Sequence, residues 1–187
     1  MRLPTLLVAL STAFTVASAF RSSCVPDFAD EAVMYNVFQA GRGSAKNEGG
    51  AVFLSETDSP ENGAWYISPA EGGNGTFTLS LASKDEGVQC LRSVGRGRQL
   101  TTGACGLEKA QFTLSCSTCP PSGPSTQNVA FAGRACVLRS LASPEHCVAS
   151  VVPPANATGA AQPGLAELRL EACRVRTRRQ AWDFIRA

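Results

Sequence analysis

The sequence contains a single histidine, His146, among its 187 residues. A Ser-His-Asp or Cys-His catalytic site would have to be built on that one imidazole. His146 is adjacent to Cys147, which we expect to be bonded to another cysteine. Acidic residues in polar, turn-like stretches are explained by solvation rather than by the paired carboxylates of glycoside hydrolysis. We therefore expect no enzyme, no catalytic residue and no cofactor.

The sequence also lacks an excess of charge of either sign. It has 17 Lys and Arg residues against 15 Asp and Glu residues. A nucleic-acid partner requires a strongly basic surface, usually with the basic residues clustered on one face of the domain. The near-neutral balance therefore excludes nucleic acid as the expected partner.

Long apolar runs are absent except at the N-terminus. Arg2 precedes an apolar stretch over residues 6–16, and Ala17-Ser18-Ala19 is a small-residue cleavage site. A transmembrane anchor needs roughly 20 unbroken apolar residues, and this stretch is shorter and interrupted by Ser and Thr. The pattern predicts a signal peptide over residues 1–19, a secreted, extracellular protein that begins at Phe20, and no membrane insertion.

Cysteine is plentiful, and all eight cysteines follow the predicted signal peptide. An even number of cysteines in a secreted chain predicts a disulfide framework, here of four bonds, whose pairing the count alone leaves open. The Cys116-x-x-Cys119 spacing also occurs in metal sites. No second such pair exists and the one histidine is next to a cysteine, so we expect no metal.

Two sequons for N-glycosylation lie among small residues that favour surface loops. They are Asn74-Gly75-Thr76 and Asn156-Ala157-Thr158, neither with proline in the middle. We expect Asn74 and Asn156 to be the glycosylation sites of a glycoprotein.

Short alternating apolar runs separated by Gly, Pro, Asn and Ser dominate the chain. Residues 77–81 and 112–114 are examples, whereas a sustained 3.6-residue period is missing. We predict an all-β fold, with residues 20–187 as one domain. Three stretches poor in core-forming residues are expected to be loop insertions: Gly41 to Gly50, Pro120 to Gln127 and Pro153 to Pro163.

An internal repeat organises these runs. Ser80-Leu81-Ala82-Ser83 precedes Cys90-Leu91-Arg92-Ser93, and Ser140-Leu141-Ala142-Ser143 precedes Cys147-Val148-Ala149-Ser150. In each copy a second strand, a second cysteine and an aromatic residue follow. A weaker copy without cysteines lies upstream, over residues 49–67.

Three copies of about 50 residues in an all-β chain predict a β-trefoil. In this fold three four-stranded units share one core, because no single unit buries its apolar face alone. Trp65, Phe112 and Trp182 would be the equivalent core aromatics of the three units. We expect these rings to serve packing rather than ligand contact.

The chain resembles the ricin B-type lectins, whose repeats carry two cysteines and then a Gln-x-Trp motif. Gln180-Ala181-Trp182 is a full match, Ala110-Gln111-Phe112 keeps an aromatic, and Gly63-Ala64-Trp65 keeps the tryptophan. The resemblance extends over about residues 29–187. It implies one disulfide between Cys90 and Cys105 and another between Cys147 and Cys173.

The other four cysteines are Cys24, Cys116, Cys119 and Cys136. We expect them to tie the N-terminal arm and the linker between the second and third repeats to the barrel. Their pairing is undetermined.

Sugar binding in this family rests on an Asp just after the first cysteine of a repeat. The matching residues are Arg92 in the second repeat and Ala149 in the third, and neither side chain accepts a hydrogen bond. In the first repeat the match falls near Leu54, Ser55 and Glu56. Glu56 is therefore the one candidate ligand-binding residue.

These features predict a secreted, lectin-like carbohydrate-binding module with degenerate sugar sites, whose partner is a glycan. The alternative is a protein-binding β-trefoil, such as a protease inhibitor or a host-interacting effector, whose partner is an extracellular protein. The basic run at residues 174–179 is most simply a solvated face. It would also suit an acidic surface such as a sulfated or uronic-acid glycan.

Overall fold

The structure is a computed structural model. It describes residues 23–26, 28, 31–36, 41–45, 50–55, 64–71, 75–83, 87–120, 131–152, 166–174 and 177–186. The predicted signal peptide lies outside these residues, and so do the candidate ligand-binding residue Glu56 and the predicted glycosylation sites Asn74 and Asn156. These therefore stay predictions. The described residues include no helix long and apolar enough to cross a membrane.

The described residues form an all-β structure of twelve strands, which confirms the predicted fold class. Two short 3₁₀ turns, Glu108–Ala110 and Arg178–Gln180, precede the eighth and twelfth strands. The strands are β1 Glu31–Asn36, β2 Gly41–Ala45, β3 Val52–Ser55, β4 Ala64–Pro69, β5 Thr76–Ser83, β6 Gly87–Arg92, β7 Thr101–Gly103, β8 Phe112–Ser115, β9 Phe131–Ser140, β10 His146–Val151, β11 Ala166–Ala172 and β12 Trp182–Arg186.

Six strands close into a barrel. Antiparallel pairing runs from β1 to β4, β5, β8, β9 and β12, and β12 pairs with β1 again. Every barrel strand therefore has two neighbours, and closure removes the unpaired edges that would otherwise invite aggregation.

The other six strands form three hairpins, β2–β3, β6–β7 and β10–β11. Their second strands meet in a ring: the Val52 amide donates to the Leu100 carbonyl at 3.0 Å, and the Leu100 amide donates to the Leu168 carbonyl at 2.7 Å. The third contact pairs β11 with β3. The described strands thus form three units of four strands around one ring, which is the β-trefoil that the repeats predict.

The core aromatics lie at equivalent places, as the sequence predicts. Trp65, Phe112 and Trp182 are each 0% exposed. Each is near the start of the last barrel strand of its unit, and two residues on, the side chains of Ile67, Leu114 and Phe184 are buried as well. The Trp182 indole Nε1 also donates to the Val148 carbonyl at 3.0 Å, which satisfies the polar atom of a fully buried ring.

All eight cysteines form disulfides. Cys90 bonds to Cys105 and Cys147 bonds to Cys173, the same pairs that the resemblance implies. The remaining pairs, which the sequence leaves open, are Cys24 with Cys119 and Cys116 with Cys136. Both cysteines of the Cys-x-x-Cys spacing are thus used structurally, in two different bonds.

The prediction of a loop insertion from Gly41 to Gly50 is wrong in its first half. Gly41–Ala45 is β2, which pairs with both β1 and β3. The segment has two glycines and no large apolar residue, so it carries no alternating signal. It becomes a strand because the two neighbouring strands supply its backbone hydrogen bonds, a tertiary effect that overrides a weak local propensity.

Candidate functional site: a cleft between β9 and β12

The hairpin ring fixes which residues are equivalent in the three units. One ring position is occupied in the three units by Phe53, Thr101 and Arg169. Each of them pairs with the residue immediately before Leu168, Val52 or Leu100, respectively, in the neighbouring unit. Residues facing them across each hairpin are therefore equivalent too. The facing pairs are Ser44 with Phe53, Arg92 with Thr101, and Ala149 with Arg169.

This register corrects the alignment of the first repeat. The sequence repeat matches the segment near Leu54 to the cysteine-bearing strands of the other two units. In the structure, Leu54 lies on β3, the second strand of its hairpin. The matching residue is Ser44 on β2. The alignment failed because β2 has neither the cysteine nor the apolar residues that mark β6 and β10. Glu56 lies outside the described residues, so its role in ligand binding stays a prediction.

In the second repeat, Arg92 covers the place of the family's acidic residue. Its side chain packs over Gly103 on the facing strand, where an added Cβ would lie 2.6 Å from Arg92 Nη1 and 2.8 Å from Cδ. Arg92 Nε is buried and has no hydrogen-bond partner. A guanidinium offers donors only, so this position cannot accept a hydrogen bond from a sugar hydroxyl.

In the third repeat, the same position is closed. Ala149 is 0% exposed. The facing Arg169 donates from Nε to a carboxylate oxygen of Glu167 at 2.7 Å, so both charged groups next to Ala149 already have a partner. None of the three equivalent hairpin positions carries a carboxylate.

A different surface feature does bring polar groups together. A cleft of about 610 Å³ lies beside β9 and β12, and we call it the β9–β12 cleft. Its walls come from the segment after β8, from β9, from the second 3₁₀ turn and from β12. The described residues that line it are Ser117, Thr118, Arg134, Ala135, Arg178, Ala181 and Asp183.

One wall is fixed by backbone pairing and a disulfide. The Arg134 amide donates to the Thr118 carbonyl at 2.9 Å, and the Ser117 amide donates to the Arg134 carbonyl at 3.1 Å. The Cys116–Cys136 disulfide joins the same two segments just beyond these bonds. The segment after β8 thereby continues alongside β9 instead of leaving the barrel.

A β-bulge aims Asp183 into the cleft. Trp182 pairs with Cys136 and Phe184 pairs with Gly133, so two residues of β9 face Asp183 alone. Trp182 and Phe184 are buried, and the side chain between them therefore points to the outer face of the strand.

The bulge also supplies the partner of this carboxylate. Ala135, one of the two bulge residues, has φ of 46°, a conformation that is costly for a residue with a Cβ. Its amide, which the bulge removes from the strand ladder, donates to Asp183 Oδ1 at 2.8 Å. This hydrogen bond holds Oδ1 in place. The other carboxylate oxygen takes no part in it and keeps its capacity to accept hydrogen bonds.

Arg134 and Arg178 line the same cleft as Asp183. The Cζ atom of Arg134 lies over the Phe131 ring, 3.7 Å from its centroid, in a cation–π contact. Arg134 and Arg178 are both exposed. Within the part of the chain that the structure describes, neither arginine forms an ion pair with Asp183.

Two hydroxyls complete the polar lining. Ser117 Oγ donates to the Arg134 carbonyl at 3.2 Å, and its lone pairs can still accept. Thr118 is exposed next to it. The described residues of the cleft thus provide one oriented carboxylate, two cations and two hydroxyls, together with the methyl groups of Ala135 and Ala181, an arrangement suited to a polyhydroxyl ligand.

Sequence reasoning missed this cleft. The alternation in Trp182-Asp183-Phe184 predicts that Asp183 lies on the outer face of its strand, and this part of the site is evident from the sequence. The bulge at Arg134 and Ala135, which brings donors opposite Asp183, has no local sequence mark. Of the basic residues between 174 and 179 that the structure describes, Arg178 lines the cleft.

No protein-family model matches the sequence, and no curated protein sequence matches it either. Solved structures do match its fold. A ricin B-like lectin from Macrolepiota procera, in complex with lactose, has a TM-score of 0.56 at 13% identity, covering 88% of this chain and 100% of the lectin chain. SeviL, bound to asialo-GM1 saccharide, has a TM-score of 0.54 at 11% identity, covering 84% of this chain and 98% of that chain.

A toxin shares the fold as well. A mosquitocidal holotoxin matches with a TM-score of 0.57 at 11% identity, over 84% of this chain but 17% of the holotoxin chain. Identities this low establish the fold alone. The chain has the fold of the ricin B-like lectins, which confirms the resemblance read from its cysteines and its Gln-x-Trp motif.

Proposed function

We propose that this protein is a secreted carbohydrate-binding module without catalytic activity, and that it holds its glycan in the β9–β12 cleft. The observation that carries the proposal is Asp183, whose carboxylate is oriented by the Ala135 amide at 2.8 Å and opens on a cleft of about 610 Å³. A carboxylate is the acceptor that neighbouring sugar hydroxyls require, and a cleft of this size accommodates one or two sugar rings.

The equivalent hairpin positions also favour the cleft as the glycan site, because none of them carries a carboxylate. The second repeat presents the donor Arg92 and the third presents the buried Ala149. Neither accepts a hydrogen bond from a hydroxyl. Glycan binding at the cleft requires none of these residues.

The test is glycan-array screening of the disulfide-intact protein, followed by titration calorimetry of the best saccharide against Asp183→Asn. The amide oxygen of the variant can still accept from Ala135, while its NH₂ group replaces the second acceptor oxygen with a donor. Hydrogen bonds to charged groups contribute about 1.5–3 kcal/mol. We expect the affinity to fall about tenfold or more.

Arg92→Ala is the matched control, since Arg92 lies at the family position and outside the cleft lining. We expect its affinity to equal that of the parent protein. If Arg92→Ala abolishes binding and Asp183→Asn leaves it unchanged, the assignment to the cleft is wrong.

The second candidate function is binding to an extracellular protein. The observation that favours it is that none of the equivalent hairpin positions carries a carboxylate, and that one of them carries the half-buried Arg92. Absence of any signal on the glycan array, together with a specific partner recovered by affinity capture and shown to bind the purified protein with the same affinity, would replace the carbohydrate proposal with this one.

A further inference from the structure

We infer that the β9–β12 cleft selects acidic saccharides: Arg134 and Arg178 bind a carboxylate or sulfate group of the glycan while Asp183 binds its hydroxyls. This inference rests on the proposed function and names its ligand class. The ligand chemistry is a pyranose that carries one anionic substituent.

The first argument is the position of Arg134. Its Cζ atom lies over the Phe131 ring, 3.7 Å from the centroid. This contact engages the charge of the guanidinium with the ring and does not use its N–H groups as hydrogen-bond donors to an acceptor atom. A guanidinium forms paired hydrogen bonds with a carboxylate or sulfate through those N–H groups. The ring therefore positions the cation without consuming its donors.

The second argument is the charge balance of the lining. Of the described residues that line the cleft, two carry a guanidinium group and one carries a carboxylate, and no ion pair between described residues joins them. Asp183 is instead bound to a backbone amide of the bulge. The described lining therefore carries a net positive charge, which attracts an anionic group.

The third argument concerns stacking. Among the residues that the structure describes, none that lines the cleft is aromatic, and one face of the Phe131 ring is covered by Arg134. These described residues offer a neutral hexose hydroxyl contacts but no ring to stack on. Charge must supply the affinity that stacking supplies elsewhere, which favours acidic over neutral saccharides.

The fourth argument is rigidity. Cys116–Cys136 joins the two segments that carry the hydroxyls and Arg134, and Cys24–Cys119 anchors the residue after Thr118 to the N-terminal arm. A binding surface that is already ordered loses less conformational entropy when the ligand binds.

The test measures the affinity of the intact protein for matched pairs of saccharides. One pair is lactose and 3′-sulfated lactose, and the other is a disaccharide ending in glucose or in glucuronic acid. We expect the acidic member of at least one pair to bind about tenfold more tightly than its neutral partner. The two pairs distinguish a sulfate from a carboxylate as the preferred group.

Variants then assign the selectivity to residues. Arg134→Gln and Arg178→Gln should each remove most of the preference for the acidic member, with little change for the neutral one. Arg139→Gln is the matched control, an exposed arginine of β9 outside the cleft lining. Binding of the acidic member should also weaken from 50 mM to 500 mM salt, because added ions screen an exposed charge contact.

The outcomes separate this inference from the proposed function. If acidic and neutral members bind equally and only Asp183→Asn reduces affinity, the cleft binds carbohydrate but the selectivity for acids is refuted. If no saccharide binding depends on any of the three cleft variants, both proposals are wrong. Equal losses in Arg134→Gln and Arg139→Gln would show a general charge effect and would also refute the selectivity.

Discussion

Glycine occupies two positions at which the chain runs close to a neighbour, and the neighbours differ in stiffness. A Cβ added to Gly133 would lie 2.7 Å from Pro26 Cγ, 2.8 Å from Cys116 Sγ and 2.9 Å from Cys136 Sγ. A Cβ added to Gly103 would instead meet the side chain of Arg92 at 2.6 Å from Nη1. A ring and a disulfide cannot move aside easily, whereas an arginine side chain can.

We therefore predict that Gly133→Ala lowers the free energy of unfolding by about 1–3 kcal/mol, the usual cost of overpacking. Gly103→Ala is the matched control and should cost well under that, because Arg92 changes rotamer. Urea unfolding monitored by tryptophan fluorescence measures both. Equal losses in the two variants would contradict the contrast between rigid and flexible neighbours.

Gln180 shows what the one complete Gln-x-Trp motif does here. Its side chain is 2% exposed; Oε1 accepts from the Arg174 amide at 2.9 Å and Nε2 donates to the Ala172 carbonyl at 2.9 Å. The glutamine thus joins the end of β11 to the turn that precedes Trp182. In this chain the glutamine of the motif therefore has a structural role. In the second repeat the equivalent buried position is occupied by Ala110, whose side chain makes no such hydrogen bonds.

At the scale of elements, two serines tie the hairpins to the 3₁₀ turns. Ser93 Oγ donates to the Lys109 carbonyl at 3.1 Å, and the equivalent Ser150 Oγ donates to the Arg179 carbonyl at 3.4 Å. The fully buried Ser140 also donates to Ser93 Oγ at 3.2 Å. The same contact recurs in two units because the repeats place the same residue opposite the same turn.

The two serines should differ when removed. Ser93→Ala leaves the buried Ser140 hydroxyl without its acceptor, so we predict a loss of about 1–3 kcal/mol, against about 1 kcal/mol for Ser150→Ala. Ser115→Ala, at an exposed position of β8, is the control and should stay within about 0.5 kcal/mol of the parent protein. Denaturant unfolding measures all three. A larger loss for Ser150→Ala would contradict this ranking.

The element that shapes the cleft is the bulge in β9. Without the extra residue, β9 and β12 would pair in simple register, and the Ala135 amide would belong to the ladder instead of to Asp183. A single residue inserted into one strand thus converts an outward-facing Asp183 into an oriented acceptor. Strand alternation predicts where Asp183 points, but its partner depends on the register between two strands that are distant in sequence.

For the whole molecule, disulfides add to a core that is shared among three units. Cys90 and Cys105 are 15 residues apart, whereas Cys24 and Cys119 are 95 residues apart. The longer bond joins the N-terminal arm to the segment that follows β8. In the chain-entropy description, the longer the loop that a bond closes, the more it restricts the unfolded chain.

We predict that the double variant Cys24→Ala/Cys119→Ala loses about 4.7 kcal/mol of stability and that Cys90→Ala/Cys105→Ala loses about 3 kcal/mol. Chemical denaturation of the two variants, with the other three bonds verified by mass mapping, gives the comparison. A larger loss in the second variant would show that local packing outweighs loop length. Both variants should retain the trefoil pairing if the barrel and the hairpin ring carry the fold.

The sequence by itself determined the all-β class, the three units and the equivalent core aromatics. These follow from local patterns, since alternation, turn residues and cysteine spacing repeat along the chain. It also marked the hairpin positions of the second and third repeats, where Arg92 and Ala149 stand in place of an acid. In the first repeat it failed, because Gly41–Ala45 has no pattern of its own and becomes a strand only beside β1 and β3.

Only the tertiary structure decided the pairing of the last four cysteines and the position of the cleft. Cys116 and Cys119 are three residues apart, yet Cys116 bonds to Cys136, 20 residues further along the chain, and Cys119 bonds to Cys24, 95 residues before it. Asp183 meets the Ala135 amide across 48 residues. Contacts of this range depend on how barrel strands are registered, and register is set by the packing of the whole core rather than by any local run of residues.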